Sequence, residues 1–186
     1  RFKDDHGNDF PDWEEKKLGS VADVKTGPFG STLHQSDYVD VGTPIITVEH
    51  LSDHGLVHNN LPLVSDIDKK RLKSYALREN DIVFSRVGSV DRNSLVSKIE
   101  DGWLFSGRIL RIRTDAKIIY SKFLSFFFQL EITKYRIRSV AVGQTMASLN
   151  TAILKDFQIV TAHLSEQKRI ADFLTAVDGR IGQLIQ

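Results

Sequence analysis

Apolar residues near the end of the chain recur at alternating intervals of four and three. They are Ile170, Leu174, Val177, Ile181 and Leu184. This spacing is typical of a coiled-coil seam and predicts a helix over residues 164–186, with Ser165 as its N-cap and Glu166 in its first turn. The stripe is narrow, which favours pairing with a second helix, whereas folding back onto the preceding domain is the alternative. Because the rhythm is still running at the last residue, we expect the helix to continue.

Short β-branched or alternating runs predict strands in the rest of the chain. The predicted strands cover residues 21–25, 44–49, 81–84, 94–99, 103–113 and 157–160. In the longest of them, Leu110 and Ile112 alternate with Arg111 and Arg113. This alternation predicts a half-buried strand with one apolar face and one basic face.

Three further segments have the pattern of helices. They cover residues 68–74, 122–138 and 151–155. Ser121 is predicted to cap the longest of these, and Phe123, Phe127 and Leu130 belong to its broad buried stripe.

The N-terminal residues and the middle loop complete the predicted organisation. Residues 1–12 are polar and predict an irregular arm, anchored by Trp13 and Leu18, while residues 50–66 predict a loop. The elements together predict an α+β fold. It consists of a mixed, strand-rich domain over residues 1–163 with flanking helices, followed by the C-terminal coiled-coil-type helix.

Composition narrows the class of protein. The chain has no cysteine, which excludes disulfides and thiolate metal sites and agrees with a reducing cytoplasm. Its longest apolar stretch, residues 123–130, is far too short to span a bilayer, so no membrane partner is expected. The chain begins at Arg1 without a basic and apolar leader. We expect a trimmed or internal piece of a longer chain.

Charge is distributed unevenly although the net charge is only +1. Residues 67–138 hold sixteen Lys and Arg against eight Asp and Glu, whereas residues 1–66 are acidic overall. A phosphate-binding face is therefore expected in the middle of the chain, with a uniformly solvated surface as the equally weighted alternative.

Four segments at predicted strand ends combine glycine, small hydroxyls, amides and arginine. They are residues 25–35, 86–93, 106–108 and 143–150. Such residues approach phosphates closely and donate to them, and Arg, Gln and Asn also read base edges. The candidate DNA-binding residues are Lys25, Ser31, Arg86, Ser89, Arg92, Asn93, Arg108, Gln144 and Asn150. The alternative is that glycine and serine only mark turns, and that Arg86 and Arg108 pair with nearby carboxylates.

Motifs of catalysis and metal binding are weak or missing in the sequence. Pro11-Asp12 with Glu15 and Lys17 superficially matches a nuclease metal site, but the spacing is too short to place these groups on adjoining strands. His50, His54 and His58 recur every four residues, but Gly55 interrupts them, so surface histidines are expected rather than a zinc site. No catalytic residue and no metal ligand is predicted.

Several segments, in this order, resemble the DNA-specificity (S) subunit of type I restriction-modification enzymes. They are WEEKKLG (13–19), GPFGS (27–31), GTPII (42–46), ENDIVFSRVGS (79–89) and the SEQ motif (165–167) of the last helix. The similarity covers nearly the whole chain. It identifies residues 1–163 as resembling a target recognition domain and residues 164–186 as the start of a spacer helix.

The resemblance implies a function and a set of partners. A target recognition domain of this family reads one half of a split sequence in double-stranded DNA and catalyses nothing. Its helices dock the methylation (M) subunits, through which the restriction (R) subunits join. S-adenosylmethionine, ATP and Mg²⁺ are then expected only in those partners. The protein is expected to be located in the cytoplasm. One domain and one helix resemble a half-subunit or a fragment, for which self-association or pairing with a second recognition domain is expected. The alternative function is a protein-interaction or multimerisation module without a DNA role.

Overall fold

A computed structural model describes residues 2–143 and 146–184, with the backbone alone for Ser31. The helices are α1 (Asp66–Arg71), α2 (Ser121–Gln129), α3 (Glu131–Val140), α4 (Thr151–Asp156) and α5 (Leu164–Leu184). The first six strands are β1 (Glu14–Lys17), β2 (Ala22–Thr26), β3 (Tyr38–Val39), β4 (Thr43–Ile46), β5 (Leu51–Ser52) and β6 (Gly55–Leu56). The others are β7 (Leu63–Val64), β8 (Ile82–Ser85), β9 (Asn93–Leu95), β10 (Leu104–Phe105), β11 (Ile109–Thr114) and β12 (Gln158–Thr161). The predicted α+β class is confirmed.

A central antiparallel sheet has the strand order β2-β11-β8-β9. Its strands carry apolar side chains on both faces. Phe84 packs into the core beneath the helices, with its ring centroid 5.2 Å from that of Phe128 in α2. Val83 belongs to a separate core on the opposite face, together with Phe105 and Ile46. Since successive side chains of a strand point to opposite faces, the sheet forms the middle of three layers.

The third layer is a smaller sheet with the order β10-β4-β7-β3, in which β10 and β4 run parallel. The arginines of β11 face this layer, so their side chains are less exposed than the sequence predicted. Arg111 is only 4% exposed and pairs with Asp23, while Arg113 pairs with Asp81. The predicted free basic face of β11 is therefore wrong. Its guanidinium groups are covered by protein and have acidic partners because a buried charge requires one.

Two predicted elements are interrupted in the structure. The strand predicted over residues 103–113 is divided into β10 and β11 by a turn, in which Ile109 N donates to Ser106 O at 3.0 Å. The helix predicted over residues 122–138 is divided at Leu130, whose backbone is extended. Leu130 is 52% exposed and so does not belong to the predicted buried stripe.

The region predicted as a strand and a loop over residues 44–66 also differs in detail. The strand β4 ends at Ile46, and a 3₁₀ turn over Val48–His50 follows. The predicted loop contains three strands of two residues each, β5, β6 and β7.

The N-terminal strand β1 pairs with β12 in an antiparallel ladder. Next to this ladder, α5 begins at Leu164, so Ser165 lies inside the first turn and is not the predicted N-cap. The helix extends to Leu184 as predicted, and none of the helices within the described ranges is long and apolar enough to cross a membrane. The division of the chain at residue 163 stays a prediction.

Gln167 joins α5 to the domain. Its side chain is fully buried, accepts from Tyr120 N at 2.8 Å, and donates to Ile118 O at 3.1 Å and Ala162 O at 2.8 Å. The neighbouring Glu166 is also buried and accepts from Trp13 Nε1 at 3.1 Å. The SEQ motif thus supplies the polar contacts that fix the base of the helix.

Replacing Gln167 with leucine should lower the free energy of unfolding by roughly 2 kcal/mol, because buried backbone groups lose their partners. Urea unfolding of the two proteins measures the difference. Gln183→Leu is the matched control, since Gln183 is exposed near the end of the same helix. Equal stabilities of the Gln167→Leu and Gln183→Leu variants would show that these bonds contribute nothing.

Candidate nucleic-acid interface

The four loop segments singled out by composition lie side by side at one end of the central sheet. Arg86 N donates to Arg108 O at 2.9 Å, and Leu149 N donates to Arg86 O at 2.8 Å. Gly27 N donates to Ile109 O at 3.0 Å. These bonds connect segments that are far apart in the sequence. We call residues 25–35, 86–93, 106–108 and 143–150, where described, the loop cluster.

Two glycines allow the turns of the loop cluster to cross. A Cβ atom on Gly27 would collide with the carbonyl oxygen of Ser106, and one on Gly107 would lie 2.5 Å from Pro28 O. A Cβ atom at either position would lie too close to a carbonyl oxygen, so only glycine permits the crossing. Glycine is therefore required at these two positions so that the two turns can pack against each other. This requirement holds whether or not a phosphate also binds there.

Arg86 lies at the centre of the loop cluster. Its Nη1 donates to Gly107 O at 3.2 Å, and its guanidinium carbon lies 5.5 Å from the ring centroid of Phe29. Its Nε is buried and has no hydrogen-bond partner among the described residues. Arg86 is half-buried and contacts carbonyl oxygen rather than carboxylate, so its positive charge is not neutralised.

Arg108 is the exposed cation of the loop cluster. Within the described ranges its side chain has no ion pair, and it lines a pocket of about 410 Å³. Other residues that line this pocket include Tyr38, Asn60 and Ser106, and the hydroxyl of Ser106 is buried without a hydrogen-bond partner in the described part of the chain. Burial, together with the charge of Asp37, raises the pKa of Tyr38. Hydroxyl, amide and guanidinium groups thus border one depression beside the loop cluster, and the exposed Glu49 also lines it without forming an ion pair with Arg108 among the described residues.

Lys25 is less available than predicted. Its Nζ donates to Ser74 O at 2.8 Å and lies 4.4 Å from the ring centroid of Tyr75. Burial lowers the pKa of Lys25, and the positive charge of Arg111 lowers it further. Lys25 is nevertheless only half-buried, so its charge adds to the potential at the edge of the loop cluster.

Exposed lysines of α1 and of the 3₁₀ turn after it extend the positive charge beyond Lys25. They are Lys69, Lys70 and Lys73. In the same helix, Arg71 donates to Thr32 O at 2.6 Å, which joins α1 to the 25–35 segment of the loop cluster.

Arg92 and Asn93 have structural contacts. Arg92 donates to Leu51 O and thereby attaches the β5–β6 hairpin to the central sheet. Asn93 was predicted in a loop but lies in β9, where it is fully buried and accepts from Gln129 Nε2 at 3.2 Å. Because its amide cannot reach a bound duplex from this position, we leave Asn93 out of the contact surface proposed below.

The remaining candidate DNA-binding residues differ in exposure and in hydrogen bonding. Ser89 is exposed in the loop before β9. Asn150 is the N-cap of α4, and its Oδ1 accepts from Ile153 N at 2.9 Å. Ser31 lies in a short 3₁₀ turn, whereas Gln144 lies outside the described residues.

The seam residues of α5 become more exposed towards the end of the helix. Ile170, Leu174 and Val177 are half-buried. Ile181 is 48% exposed and Leu184 is 85% exposed. The first part of the helix packs on α2, and the distal seam positions lie open to a partner. Pairing with a second helix stays a prediction.

The three regularly spaced histidines do not converge. His50 is buried, contrary to the predicted surface position. Its Nδ1 accepts from Thr47 N at 2.9 Å. His58 Nε2 lies 2.7 Å from Glu100 Oε1. Burial alone would raise the pKa of Glu100, but hydrogen bonds from Ser97 and His58 outweigh it and hold that pKa below its usual value. No group of three His, Asp or Glu able to hold a metal ion occurs among the residues that the structure describes.

Two apolar residues of the loop cluster were missed as functional candidates. Phe29 is 63% exposed and Met146 is 64% exposed. No sequence signal separates them from Val90 and Leu149, which are apolar residues of the same loop cluster and are buried.

Comparison with known proteins gives one family. Residues 11–186 match the model of the type I restriction modification DNA specificity domain. The chain is 31% identical, over 98% of its length, to a protein of Methanocaldococcus jannaschii named putative type I restriction enzyme MjaX specificity subunit. It is 21% identical, over 97% of its length, to the type I restriction enzyme MjaVIII specificity subunit of the same organism. It spans 44% and 43% of these two relatives.

Solved structures share the fold. An S subunit of a type I restriction-modification system from M. genitalium superposes with a TM-score of 0.65 at 19% identity, covering 94% of this chain and 41% of that one. The HsdS subunit from Thermoanaerobacter tengcongensis gives a TM-score of 0.65 at 15% identity, covering 97% and 41%. A chain from a structure of a type I R-M system gives 0.71 at 18% identity, covering 98% and 42%.

Proposed function

The chain belongs to the type I restriction modification DNA specificity domain family, and from this premise we propose that it recognises a specific sequence in double-stranded DNA and directs a restriction-modification enzyme to it. The family match agrees with the resemblance carried by the ordered motifs. Because the chain spans less than half of its curated relatives, we assign to it one recognition domain and one half of a split target.

The observation that carries the proposal is the convergence of the loop cluster around Arg86, with Arg108 at its surface and without an ion pair among the described residues. Exposed cations flank it on the α1 side. In protein–DNA complexes, phosphate contacts fix register and contacts to base edges give specificity. We assign phosphate contacts to the lysines of α1 and to Lys25, and base contacts to Arg108 and to groups of the adjoining pocket.

The partners follow from the same proposal. The chain would bind the methylation (M) subunit, and the restriction (R) subunit through it, with the exposed seam of α5 available for a further helix. S-adenosylmethionine, ATP and Mg²⁺ would belong to those subunits, in the cytoplasm, and this chain would supply no catalytic residue. Its contribution to catalysis would be to position the duplex.

The chain mixed with its cognate methylation subunit should select one sequence from a pool of random duplexes. Affinity for the selected duplex should exceed that for a scrambled duplex by roughly 1,000-fold or more. Both affinities should fall between about 50 and 200 mM salt, since phosphate contacts release counterions. Fluorescence anisotropy on labelled duplexes measures both quantities.

Equal affinity for every duplex, or no binding at all, would contradict the proposed function. Assembly with the methylation subunit that persists without any DNA binding would support the alternative of a protein-interaction module. The seam of α5 would then be the principal functional surface.

A further inference from the structure

An exposed aromatic ring lies in the loop cluster, beside the guanidinium of Arg86. Phe29 is 63% exposed, and its described neighbours include the guanidinium of Arg86 and the backbone of Gly107. Single apolar residues are common on protein surfaces, and what distinguishes Phe29 is the guanidinium 5.5 Å from its ring centroid within the loop cluster. We propose that Phe29 is a wedge that inserts between two base pairs of the bound duplex, an inference that rests on the function proposed above.

The turn that carries the ring is anchored firmly at its base. Gly27 and Pro28 are buried, and Gly27 N donates to Ile109 O at 3.0 Å. The pyrrolidine ring of Pro28 fixes one backbone angle immediately before Phe29. Gly107 fits against Pro28 O so tightly that no other residue is allowed there. A wedge must keep its position while it separates stacked bases, and this base meets that requirement.

Arg86 contacts the ring that we propose as the wedge. Its guanidinium carbon lies 5.5 Å from the ring centroid of Phe29, and its Nη1 is held by Gly107 O. The cation therefore contacts the ring while it remains bound to the crossing turn. Its unpartnered Nε is a donor that a phosphate or base could satisfy once the ring is inserted. An apolar wedge beside a positively charged side chain is the combination by which proteins kink DNA.

A second exposed apolar side chain lies on the neighbouring loop. Met146 is 64% exposed. Its loop is bonded to the Arg86 loop through Gly88 N to Ala147 O at 2.9 Å and Leu149 N to Arg86 O at 2.8 Å. The loop cluster thus presents apolar side chains from two loops. The Met146 loop is bonded directly to the Arg86 loop, whereas the Phe29 turn is bonded to Ile109, next to Arg108, whose carbonyl accepts from Arg86 N.

The surroundings of Phe29 favour DNA over a protein partner. Protein-binding patches are contiguous and apolar, with charged residues at the rim. The surroundings of Phe29 differ, because the guanidinium of Arg86 lies 5.5 Å from the ring centroid, and Gly107, which lies beside Phe29, precedes the exposed Arg108. Neighbouring cations compensate phosphates, and an isolated ring is suited to the narrow space between two base pairs.

Insertion separates one base step, so a duplex that is already weakened at that step should bind better. With the selected sequence and the methylation subunit present, a single mismatch at the step should raise the affinity of the wild-type chain about tenfold. Phe29→Ala should show no such gain, whereas Phe29→Leu, which keeps an apolar wedge, should show part of it. Tyr135→Ala is the matched control, since Tyr135 is an aromatic residue of α3 that is 64% exposed.

A fluorescent adenine analogue placed next to the step, and away from any base that the methylation subunit modifies, gives an independent readout. Its emission should rise when the wild-type chain or the Tyr135→Ala variant binds, and should stay low with Phe29→Ala. If Phe29→Ala matches the wild type in both readouts, the wedge is overturned. Loss of methylation-subunit binding by Phe29→Ala, with its DNA profile unchanged, would overturn it in favour of a protein contact. A wild-type chain without any sequence preference would overturn the proposed function and the wedge together.

Discussion

A chain that carries Arg108→Glu is expected to bind its selected duplex roughly 10- to 100-fold more weakly at about 0.1 M salt, with its fold intact. The side chain of Arg108 is exposed and, among the described residues, has no acidic partner. Reversing its charge therefore removes an attraction to DNA and adds a repulsion, without leaving a buried charge unpaired. Fluorescence anisotropy over a range of salt concentrations measures the loss.

The two ways in which Arg108 can contact DNA give different salt dependences. If it contacts a phosphate, Arg108→Ala should reduce the slope of log affinity against log salt by about one, and should weaken selected and scrambled duplexes alike. If it reads a base, Arg108→Ala should relax the sequence preference at one position and change the slope little. Repeating the selection experiment with Arg108→Ala separates the two.

Lys117→Glu is the matched control for charge. Lys117 is exposed in the turn after β11, whereas Arg108 lies just before it, and six residues of strand separate the two by roughly 20 Å. Both variants change the net charge by the same amount. If Lys117→Glu weakens DNA binding as much as Arg108→Glu does, the effect comes from net charge and not from the loop cluster.

The composition of the loops was informative because the sequence alone grouped four segments that the fold brings together. Glycine next to hydroxyl and amide residues marks places where backbones cross closely, as Gly27 and Gly107 do. The alternative, that Arg86 and Arg108 pair with carboxylates, is wrong within the described ranges, although other arginines of the same region do form such pairs. Arg113 pairs with Asp81, and Arg138 pairs with Asp91. The basic excess of residues 67–138 therefore overstates the charge that is available to phosphates.

The pairing of strands that are far apart in the chain could not be predicted from the sequence. Alternation along β11 predicted the strand correctly, but it could not show that a second sheet covers the side with Arg111. The pairing of β1 with β12 joins residues about as far apart in the chain as Glu14 and Thr161. Strands of two residues, such as β5 and β6, are too short to have a periodicity. The first two features depend on partners that are distant in sequence, whereas β5 and β6 are neighbours that are simply too short to show a pattern.

The exposure of the Phe29 ring could not be predicted from the sequence either, for a different reason. A pattern of apolar residues predicts burial, and a single phenylalanine in a glycine-rich turn carries no periodicity that could say otherwise. In the folded chain the ring is 63% exposed, whereas Val90 and Leu149 of the same loop cluster are buried. Binding residues of this kind are recognised from exposure in the folded chain rather than from residue type.

Replacing Asp81 with alanine is expected to lower the free energy of unfolding by roughly 3–5 kcal/mol. Asp81 is 1% exposed and accepts from Arg113 Nε at 2.7 Å, Arg113 Nη2 at 2.6 Å and Arg78 N at 2.8 Å. Its removal leaves the half-buried guanidinium of Arg113 without its acidic partner. A loss of this size is a large fraction of the net stability of about 5–15 kcal/mol that domains have.

Removing both charges together separates the pair from its surroundings. The double variant Asp81→Leu with Arg113→Met should be more stable than Asp81→Ala alone, because it leaves no unpaired charge beneath the second sheet. Asp156→Ala serves as the control for an exposed pair, since Asp156 pairs with Lys17 at the surface and surface pairs contribute little. Urea unfolding of the variants decides the matter. If Asp81→Ala were no less stable than Asp156→Ala, the pair would not be needed to hold β11 against the second sheet. The covered basic face would then need an explanation other than charge pairing.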